Sequence, residues 1–198
     1  LLSAGWRVLR IDMRGHGGSQ AGDEPYSMSG LTDDVIAVLD FLVQEKMHFV
    51  GLSIGGMIGQ TLALEHADRL RSLMLTGTSP KAVPGPPDMW PDRFAAIRKA
   101  RSVAPIADAT MTRWFTEAFR PARENRWQQV WNMIANTTPE GYIGGAEAII
   151  AFDVPPGFTP QRVRVSLRGD ADSLHVEVDD SGSGIAAEDR THVLERGW

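Results

Sequence analysis

The stretch His48-Phe49-Val50-Gly51-Leu52-Ser53-Ile54-Gly55-Gly56 decides the fold. An apolar strand runs through a Gly-x-Ser-x-Gly turn into a helix of small residues, which we predict over residues 55–65. In such a turn the serine adopts a strained backbone conformation that lifts its hydroxyl above the sheet, and glycines at both flanks, Gly51 and Gly55, avoid collision with neighbouring backbone. The pattern makes Ser53 a candidate nucleophile. The N–H of Ile54, at the helix N-terminus, is a candidate donor to an oxyanion.

The elements around this turn alternate between strand and helix. Residues 7–11, 48–52 and 70–76 are apolar stretches that predict strands. Residues 31–42 carry apolar side chains at helical spacing, and the pair Asp33-Asp34 lies near the predicted N-terminus, where the helix dipole favours acidic groups. This β-α-β-α-β order predicts an α/β fold built on a parallel sheet.

The chain changes character twice after residue 79. Prolines and a glycine between residues 80 and 88 predict a linker, and helical periodicity follows to residue 152. The large aromatic side chains of that region are expected to pack in a core; they are Trp114, Phe115, Phe119, Trp127 and Trp131. Beyond Pro155 two alternating strands, residues 162–168 and 174–179, predict a β-hairpin with a helix after it. We therefore divide the chain into residues 1–79, 80–154 and 155–198.

The composition argues against several classes of protein. The 198 residues carry a net charge of -5, which argues against a nucleic-acid partner, because proteins that bind nucleic acids concentrate Lys and Arg. No apolar run approaches the roughly 20 residues needed to cross a bilayer, so no membrane partner is expected. The sequence has no cysteine, which excludes disulfides, thiolate catalysis and zinc–thiolate sites. These features fit a cytoplasmic protein.

Two motifs carry a family resemblance. The run Gly51-Leu52-Ser53-Ile54-Gly55-Gly56-Met57-Ile58-Gly59-Gln60 and the loop Asp12-Met13-Arg14-Gly15-His16-Gly17-Gly18-Ser19 together resemble the α/β-hydrolase superfamily. The helical region is similar to the cap of 3-oxoadipate enol-lactonases at residues 108–115, 138–142 and 151–153. The resemblance spans residues 1–154. It implies that the substrate is a small ester or lactone, hydrolysed without metal or cofactor.

The resemblance also implies a part that the sequence does not show. In this superfamily a strand ending in a His-Gly turn precedes the strand that corresponds to residues 7–11, and its loop donates the second oxyanion N–H. That strand would lie between residues 7–11 and 48–52, so we expect both segments to face a gap in the sheet. A second copy of the chain or the C-terminal hairpin could fill the gap. A homo-oligomer formed through these unpaired edges is therefore one expected assembly.

The superfamily order of catalytic residues is serine, acid, histidine. A strand followed by Gly169-Asp170-Ala171-Asp172 makes Asp172 the candidate acid, although the arginines of that strand are unlike those of a buried parallel strand. Only His175 and His192 follow late enough to be the base. We take His192, in a helix predicted over residues 186–195, as the candidate. The helix nevertheless favours a surface position for this histidine over a catalytic one.

The tail supports a second resemblance. Residues 174–198, from a strand through an Asp-x-Gly-x-Gly box to a closing Arg-Gly-Trp, are similar to the ATP-binding domain of sensor histidine kinases. The resemblance implies that Asp180 contacts the adenine amino group, while Gly182 and Gly184 let the backbone approach the nucleotide. It makes the chain a junction of two truncated families. The piece lacks other parts of that domain, so we do not expect it to bind nucleotide by itself.

These observations leave three functional hypotheses. The first is a serine hydrolase acting on a small lactone or carboxylic ester, with little or no turnover because the second oxyanion donor and the histidine base are not evident. The second is a non-catalytic remnant that self-associates through exposed strand edges. The third is a nucleotide-binding fragment. The predicted fold is an incomplete α/β-hydrolase parallel sheet with a helical cap, followed by a β-hairpin and a helix.

Overall fold

The first half of the chain alternates between helix and strand. The computed structural model describes residues 5–23, 25–82, 89–155, 163–169 and 174–180. The first elements are α1 (Met28–Phe41), β1 (Met47–Leu52), α2 (Ile54–Glu65) and β2 (Leu70–Thr76). The later elements are α3 (Met89–Ala100), α4 (Ala107–Trp114), α5 (Phe119–Ala122), α6 (Glu124–Ala135), α7 (Pro139–Ile150), β3 (Val163–Gly169) and β4 (Leu174–Asp180). The chain divides into two units, Leu1–Val154 and Pro155–Trp198.

Helix α1 begins earlier than the apolar spacing predicts, because Ser27 caps it. The Ser27 side chain accepts a hydrogen bond from the Gly30 N–H at 3.0 Å, which satisfies one of the free donors at the helix start. The pair Asp33-Asp34 consequently lies beyond the first turn, and the prediction that these residues serve the helix dipole is wrong. Asp34 pairs instead with Arg14, with 2.5 Å between Arg14 Nη2 and Asp34 Oδ1.

Strands β1 and β2 are hydrogen-bonded neighbours in a parallel sheet. Helix α2 covers one face so closely that a Cβ on Gly59 would lie 2.7 Å from Leu75 Cδ2. The opposite face of β1 is open, and the side chains of Val50 and Leu52 are each 69% exposed. Because parallel sheets are normally covered on both faces, this open face indicates an incomplete sheet, as predicted.

Residues 7–11, predicted as a strand, form no strand in the structure. A strand needs a neighbour to exchange backbone hydrogen bonds, and within the described ranges no strand pairs with this segment. Its apolar side chains are exposed, Val8 by 45%, Leu9 by 49% and Ile11 by 39%. The preceding Trp6 ring meets the His48 ring edge-on, with 5.2 Å between centroids, which places this segment near the start of β1. Within the described ranges, β1 therefore has the expected unpaired edge, whereas residues 7–11 form no strand edge.

Helices α3 to α7 pack around a core of their own. Its buried members are Ile97, Val103, Ile106, Ala107, Met111, Ile134 and Ile143. Phe115, Trp127 and Trp131 pack against this cluster, as predicted. Phe119 stacks on Phe115 with 4.4 Å between ring centroids. Trp114 departs from the prediction, because it is the last residue of α4 and its side chain is 57% exposed.

Within the first unit, the helical region is connected to the sheet region at one place. Val154 N donates to Pro80 O at 2.8 Å, and the Lys81 ammonium lies 2.8 Å from Asp153 Oδ2. Lys81 and Asp153 also form an antiparallel bridge. The segments that enter and leave the helical region are thus held side by side. The helices between them are therefore inserted at a single point in the fold.

In the second unit, β3 and β4 form the predicted antiparallel hairpin. Val163 lies opposite Asp180, and Gly169 lies opposite Leu174. The helix predicted over residues 186–195 lies outside the described residues. Across the part of the chain that the structure describes, we find no helix with the length and apolar character that a membrane span requires. The predicted α/β class is confirmed.

Candidate active site

Ser53 stands at the junction of β1 and α2 in a strained conformation. Its φ of 54° and ψ of -118° fall outside the regions that residues with side chains favour. Both adjoining elements fix this geometry. Ser53 N donates to Thr76 O at 2.9 Å, and Ser53 O accepts from Gly56 N at 2.9 Å and from Met57 N at 3.2 Å. One strand and one helix therefore hold this residue in place.

The Ser53 side chain is exposed and makes no hydrogen bond to the described residues. Serine at the start of a helix normally adopts an extended backbone and accepts a hydrogen bond from the second or third helical N–H. The positive φ of Ser53 does not offer that geometry. The helix does not use the hydroxyl, which stays available for reaction.

The two flanking glycines differ in what surrounds them. A Cβ on Gly51 would lie 2.2 Å from the carbonyl oxygen of Gly55, a contact that real structures do not contain. Gly51 is therefore required by the close approach of strand and helix backbones. A Cβ on Gly55 would meet nothing within 4 Å. The expected collision is thus present at Gly51 and absent at Gly55.

Ile54 is the first residue of α2 and is half-buried. The N–H groups of the first helical turn lack acceptors within the helix, and the helix dipole adds partial positive charge there. An N–H in this position, directly after the candidate nucleophile, can stabilise negative charge that develops on a carbonyl oxygen. The described residues thus supply one candidate oxyanion donor.

Residues 5–82 contain three histidines, and each of them has a partner other than Ser53. His16 Nδ1 lies 3.1 Å from Arg14 O, and His48 Nδ1 lies 2.8 Å from Ser72 Oγ. His66 Nε2 lies 3.6 Å from Asp33 Oδ1. Within this part of the chain, Ser53 has no base in hydrogen-bond contact.

The other predicted site residues fall at the end of the chain. Asp172, His192, Gly182 and Gly184 lie outside the described residues, and Asp180 is the last residue of β4. The triad and nucleotide-contact assignments of these residues therefore stay predictions. Among the described residues, no group of three or more histidine, aspartate or glutamate side chains is arranged to hold a metal ion.

The sequence did not reveal how the glycine-rich loop, residues 12–19, is anchored. Arg14 Nε donates to Asp34 Oδ2 at 2.6 Å, and Arg14 Nη2 donates to Asp34 Oδ1 at 2.5 Å. This hydrogen bonding to Asp34 raises the pKa of the Arg14 guanidinium, although burial opposes the rise. The Arg14 guanidinium also lies over the Tyr26 ring, 5.3 Å from its centroid. Arg14 and Asp34 are 20 positions apart. In the sequence, the only signals of this ion pair are an arginine in the loop and an acidic residue in the predicted helix.

Comparison with known proteins agrees with the strand, turn and helix around Ser53. The sequence profile of the alpha/beta hydrolase fold matches residues 1–157. This chain belongs to the α/β-hydrolase family. The match ends at residue 157, and the resemblance of residues 174–198 to histidine kinases receives no support from these comparisons.

The relatives of this α/β-hydrolase chain include enol-lactonases. It is 34% identical to 3-oxoadipate enol-lactonase 2 of Acinetobacter baylyi over 160 residues, which cover 81% of this chain and 57% of that protein. The structure of a hydrolase from Pseudomonas aeruginosa matches with a TM-score of 0.68 and 36% identity, over 75% of this chain and 55% of that one. The enol-lactonase from Burkholderia xenovorans matches with a TM-score of 0.67 and 36% identity, over 72% and 54%. The chain spans a little over half the length of these relatives.

Proposed function

We propose that this chain is a serine hydrolase that acts on a small lactone or carboxylic ester. Ser53 attacks the substrate carbonyl, and the Ile54 N–H donates to the oxyanion that forms. The observation that carries the proposal is the exposed, unbonded hydroxyl of a strained serine at the start of α2. The similarity to enol-lactonases supports a 3-oxoadipate enol-lactone as the first substrate to assay.

The proposed acid and base are Asp172 and His192. A serine hydroxyl is a weak nucleophile until a base takes its proton, and the described residues place no base on Ser53. The order of serine, acid and histidine along the chain supports this assignment. Asp172→Asn and His192→Gln should each lower Ser53-dependent hydrolysis at least tenfold if the residues act in this way. Wild-type rates in both variants would exclude them.

We propose that hydrolysis by the 198-residue chain is slow. The described site offers one oxyanion donor, and removal of one such donor lowers kcat by about 10² to 10³ in serine hydrolases. We therefore expect turnover well below that of the Acinetobacter baylyi enol-lactonase.

Hydrolysis of 3-oxoadipate enol-lactone and of a short p-nitrophenyl ester tests the proposal. Ser53→Ala should abolish turnover of at least one of the two substrates, whereas Ser29→Ala should not. Ser29 is a suitable control because it is an exposed serine whose hydroxyl bonds to Glu65 at 2.7 Å. The Acinetobacter baylyi enol-lactonase gives the reference rate. A wild-type chain no faster than Ser53→Ala would overturn the hydrolase proposal.

One observation favours a second candidate function, a non-catalytic chain that self-associates through strand edges. Within the described residues β1 pairs with β2 alone, so its other edge is unpaired, and its open face carries the exposed residues Val50 and Leu52. An unpaired edge next to apolar surface is a template for another strand. In this alternative a second copy of the chain covers the edge of β1.

The mass of the chain in solution tests this alternative. Light scattering at micromolar concentration should show a dimer or larger species, and Val50→Lys should shift it toward the monomer, because a charge on an edge strand opposes pairing. Met133→Lys is the matched control, since Met133 is 70% exposed and belongs to helix α6 rather than to a strand. A wild-type monomer, or equal effects of the two lysines, would contradict self-association through β1.

Nucleotide binding through Asp180 and a cytoplasmic location stay predictions from the sequence.

A further inference from the structure

Helix α7 begins at a residue that bonds to a loop 123 positions earlier in the chain. Thr138 caps α7, because its Oγ1 accepts a hydrogen bond from Gly141 N at 3.0 Å. The same hydroxyl donates to Gly15 O at 3.0 Å, and Thr138 N donates to the same oxygen at 3.0 Å. Helix α7, the last helix of the helical region, is therefore hydrogen-bonded at its start to the carbonyl oxygen of Gly15.

Two glycines allow this approach. Gly15 has a φ of +76°, and a Cβ there would lie 2.3 Å from Gly141 Cα. A Cβ on Gly141 would lie 2.5 Å from Gly15 Cα. Both collisions are with backbone atoms, which cannot turn aside as a flexible side chain can. The loop and the helix thus meet backbone to backbone at a fixed separation.

The loop is also anchored on its other side. Arg14, the neighbour of Gly15, makes two hydrogen bonds to Asp34 of α1. Its guanidinium lies over Tyr26, and the Tyr26 ring fills the space beside α7 so closely that a Cβ on Gly144 would lie 2.6 Å from it. The loop is therefore bonded to α1 on one side and to the start of α7 on the other.

One turn further along, α7 reaches the residue that follows Ser53. A Cβ on Gly145 would lie 3.1 Å from Met13 Cε and 3.8 Å from Ile54 Cδ1. Met13 belongs to the same loop as Gly15. Helix α7 also lies against α2, so a series of neighbouring groups leads from the Thr138 hydroxyl along α7 to the side chain of Ile54, whose N–H is the proposed oxyanion donor.

We infer that Thr138 is a positioning residue for the nucleophile turn. By fixing the start of α7 on Gly15, Thr138 holds the part of α7 that contains Gly145 beside the Ile54 side chain. This keeps the first turn of α2 in a fixed position relative to Ser53. The catalytic consequence of this inference rests on the proposed hydrolase function. Its structural consequence does not, because the contacts can be broken and followed without any reaction.

Thr138→Val removes the hydroxyl and keeps the shape and the backbone N–H. Thr138→Ser keeps the hydroxyl and should restore wild-type behaviour. Thr112→Val is the matched control, because Thr112 is another cap threonine, and its hydroxyl bonds only to Asp108 O at 3.0 Å in its own helix. Circular dichroism of each variant establishes that the helices are retained.

Two readouts follow the variants. The first is hydrogen exchange at the amides of Gly56 and Met57, which both donate to Ser53 O. Thr138→Val should speed this exchange at least threefold, whereas Thr138→Ser and Thr112→Val should not. The second is the rate at which a fluorophosphonate labels Ser53, which should fall about tenfold in Thr138→Val alone, because small displacements of catalytic groups lower rates steeply.

The two readouts separate the inference from the proposed function. Unchanged exchange at Gly56 and Met57 in Thr138→Val, or equal changes in Thr112→Val, would overturn the positioning role. If wild-type Ser53 does not react with the probe, the hydrolase proposal fails, and exchange alone decides whether Thr138 positions the turn. If Thr138→Val unfolds, Thr138→Ala takes its place: faster exchange at Gly56 and Met57 than in Thr112→Val would support the inference, and wild-type exchange would overturn it.

Discussion

Ser53 and Val43 have the same backbone φ of 54°, yet only one of them belongs to a candidate site. Val43 follows the last turn of α1. Its N–H donates to Asp40 O at 3.0 Å, and Gln44 N donates to Leu39 O at 2.9 Å. This hydrogen-bond pattern is a Schellman motif, in which glycine is usual where valine stands here. Val43 is 84% exposed, so packing does not require its side chain.

The comparison teaches that a strained torsion angle does not by itself indicate function. At Val43 the positive φ ends a helix, and the exposed apolar side chain has no evident role in that turn. At Ser53 it starts a helix, leaves a hydroxyl unbonded and places the Ile54 N–H beside it. Gly51 keeps the backbones close enough for that turn. Strain becomes informative when a reactive group and its supports coincide with it.

The largest effect on stability is expected at the glycine that supports the Ser53 turn. Gly51→Ala should destabilise the fold by about 3 kcal/mol or more, because its Cβ would lie 2.2 Å from a backbone oxygen. Gly55→Ala is the matched control. It should raise the free energy of unfolding by at most about 1 kcal/mol, because its Cβ meets open space and alanine favours a helix. Urea denaturation measures both, and equal losses would contradict the close approach at Gly51.

A smaller effect should distinguish two substitutions of Ser53 itself. Ser53→Gly should be about 1–2 kcal/mol more stable than Ser53→Ala, because glycine adopts a positive φ without steric strain and alanine does not. Both variants lack the hydroxyl, so their difference reports the backbone alone. Thermal denaturation monitored by circular dichroism measures it. If alanine were as stable as glycine here, the turn would not be strained.

The smallest effect is expected at Val43. Val43→Gly should stabilise the chain by about 1 kcal/mol, because it relieves a branched residue of a left-handed conformation. The melting temperature of Val43→Gly is compared with that of Val43→Ala, which keeps a Cβ at the same φ and should gain less. Ser53 reactivity should stay at the wild-type level in both. A loss of that reactivity would show that Val43 also belongs to the site.

The turn that holds Ser53 could be predicted because its determinants are local. Strand, glycine, serine and helix follow one another between residues 48 and 65, and the structure has β1, Ser53 and α2 where the pattern indicates. The hairpin of β3 and β4 was predictable for the same reason, since alternating strands flank a short connection.

Features that depend on distant partners could not be predicted in this way. Residues 7–11 have the composition of a strand, but a strand forms only beside another one. The contact of Thr138 with Gly15 joins residues 123 positions apart, and a sequence pattern at either end does not reveal it. The sequence position of Asp34 indicates a helix-dipole role, but α1 begins at Met28 and Asp34 instead accepts a hydrogen bond from Arg14.

Covalent labelling by a fluorophosphonate asks most directly whether the strained turn carries an activated nucleophile. The reagent bonds to a serine whose hydroxyl loses its proton to a base and whose oxyanion is stabilised. We expect time-dependent labelling, located by mass spectrometry on the peptide that contains Ser53, absent in Ser53→Ala and unchanged in Val43→Gly. If the wild-type chain were labelled no faster than Ser53→Ala, Ser53 would not be an activated nucleophile, and the proposed hydrolase function would be contradicted.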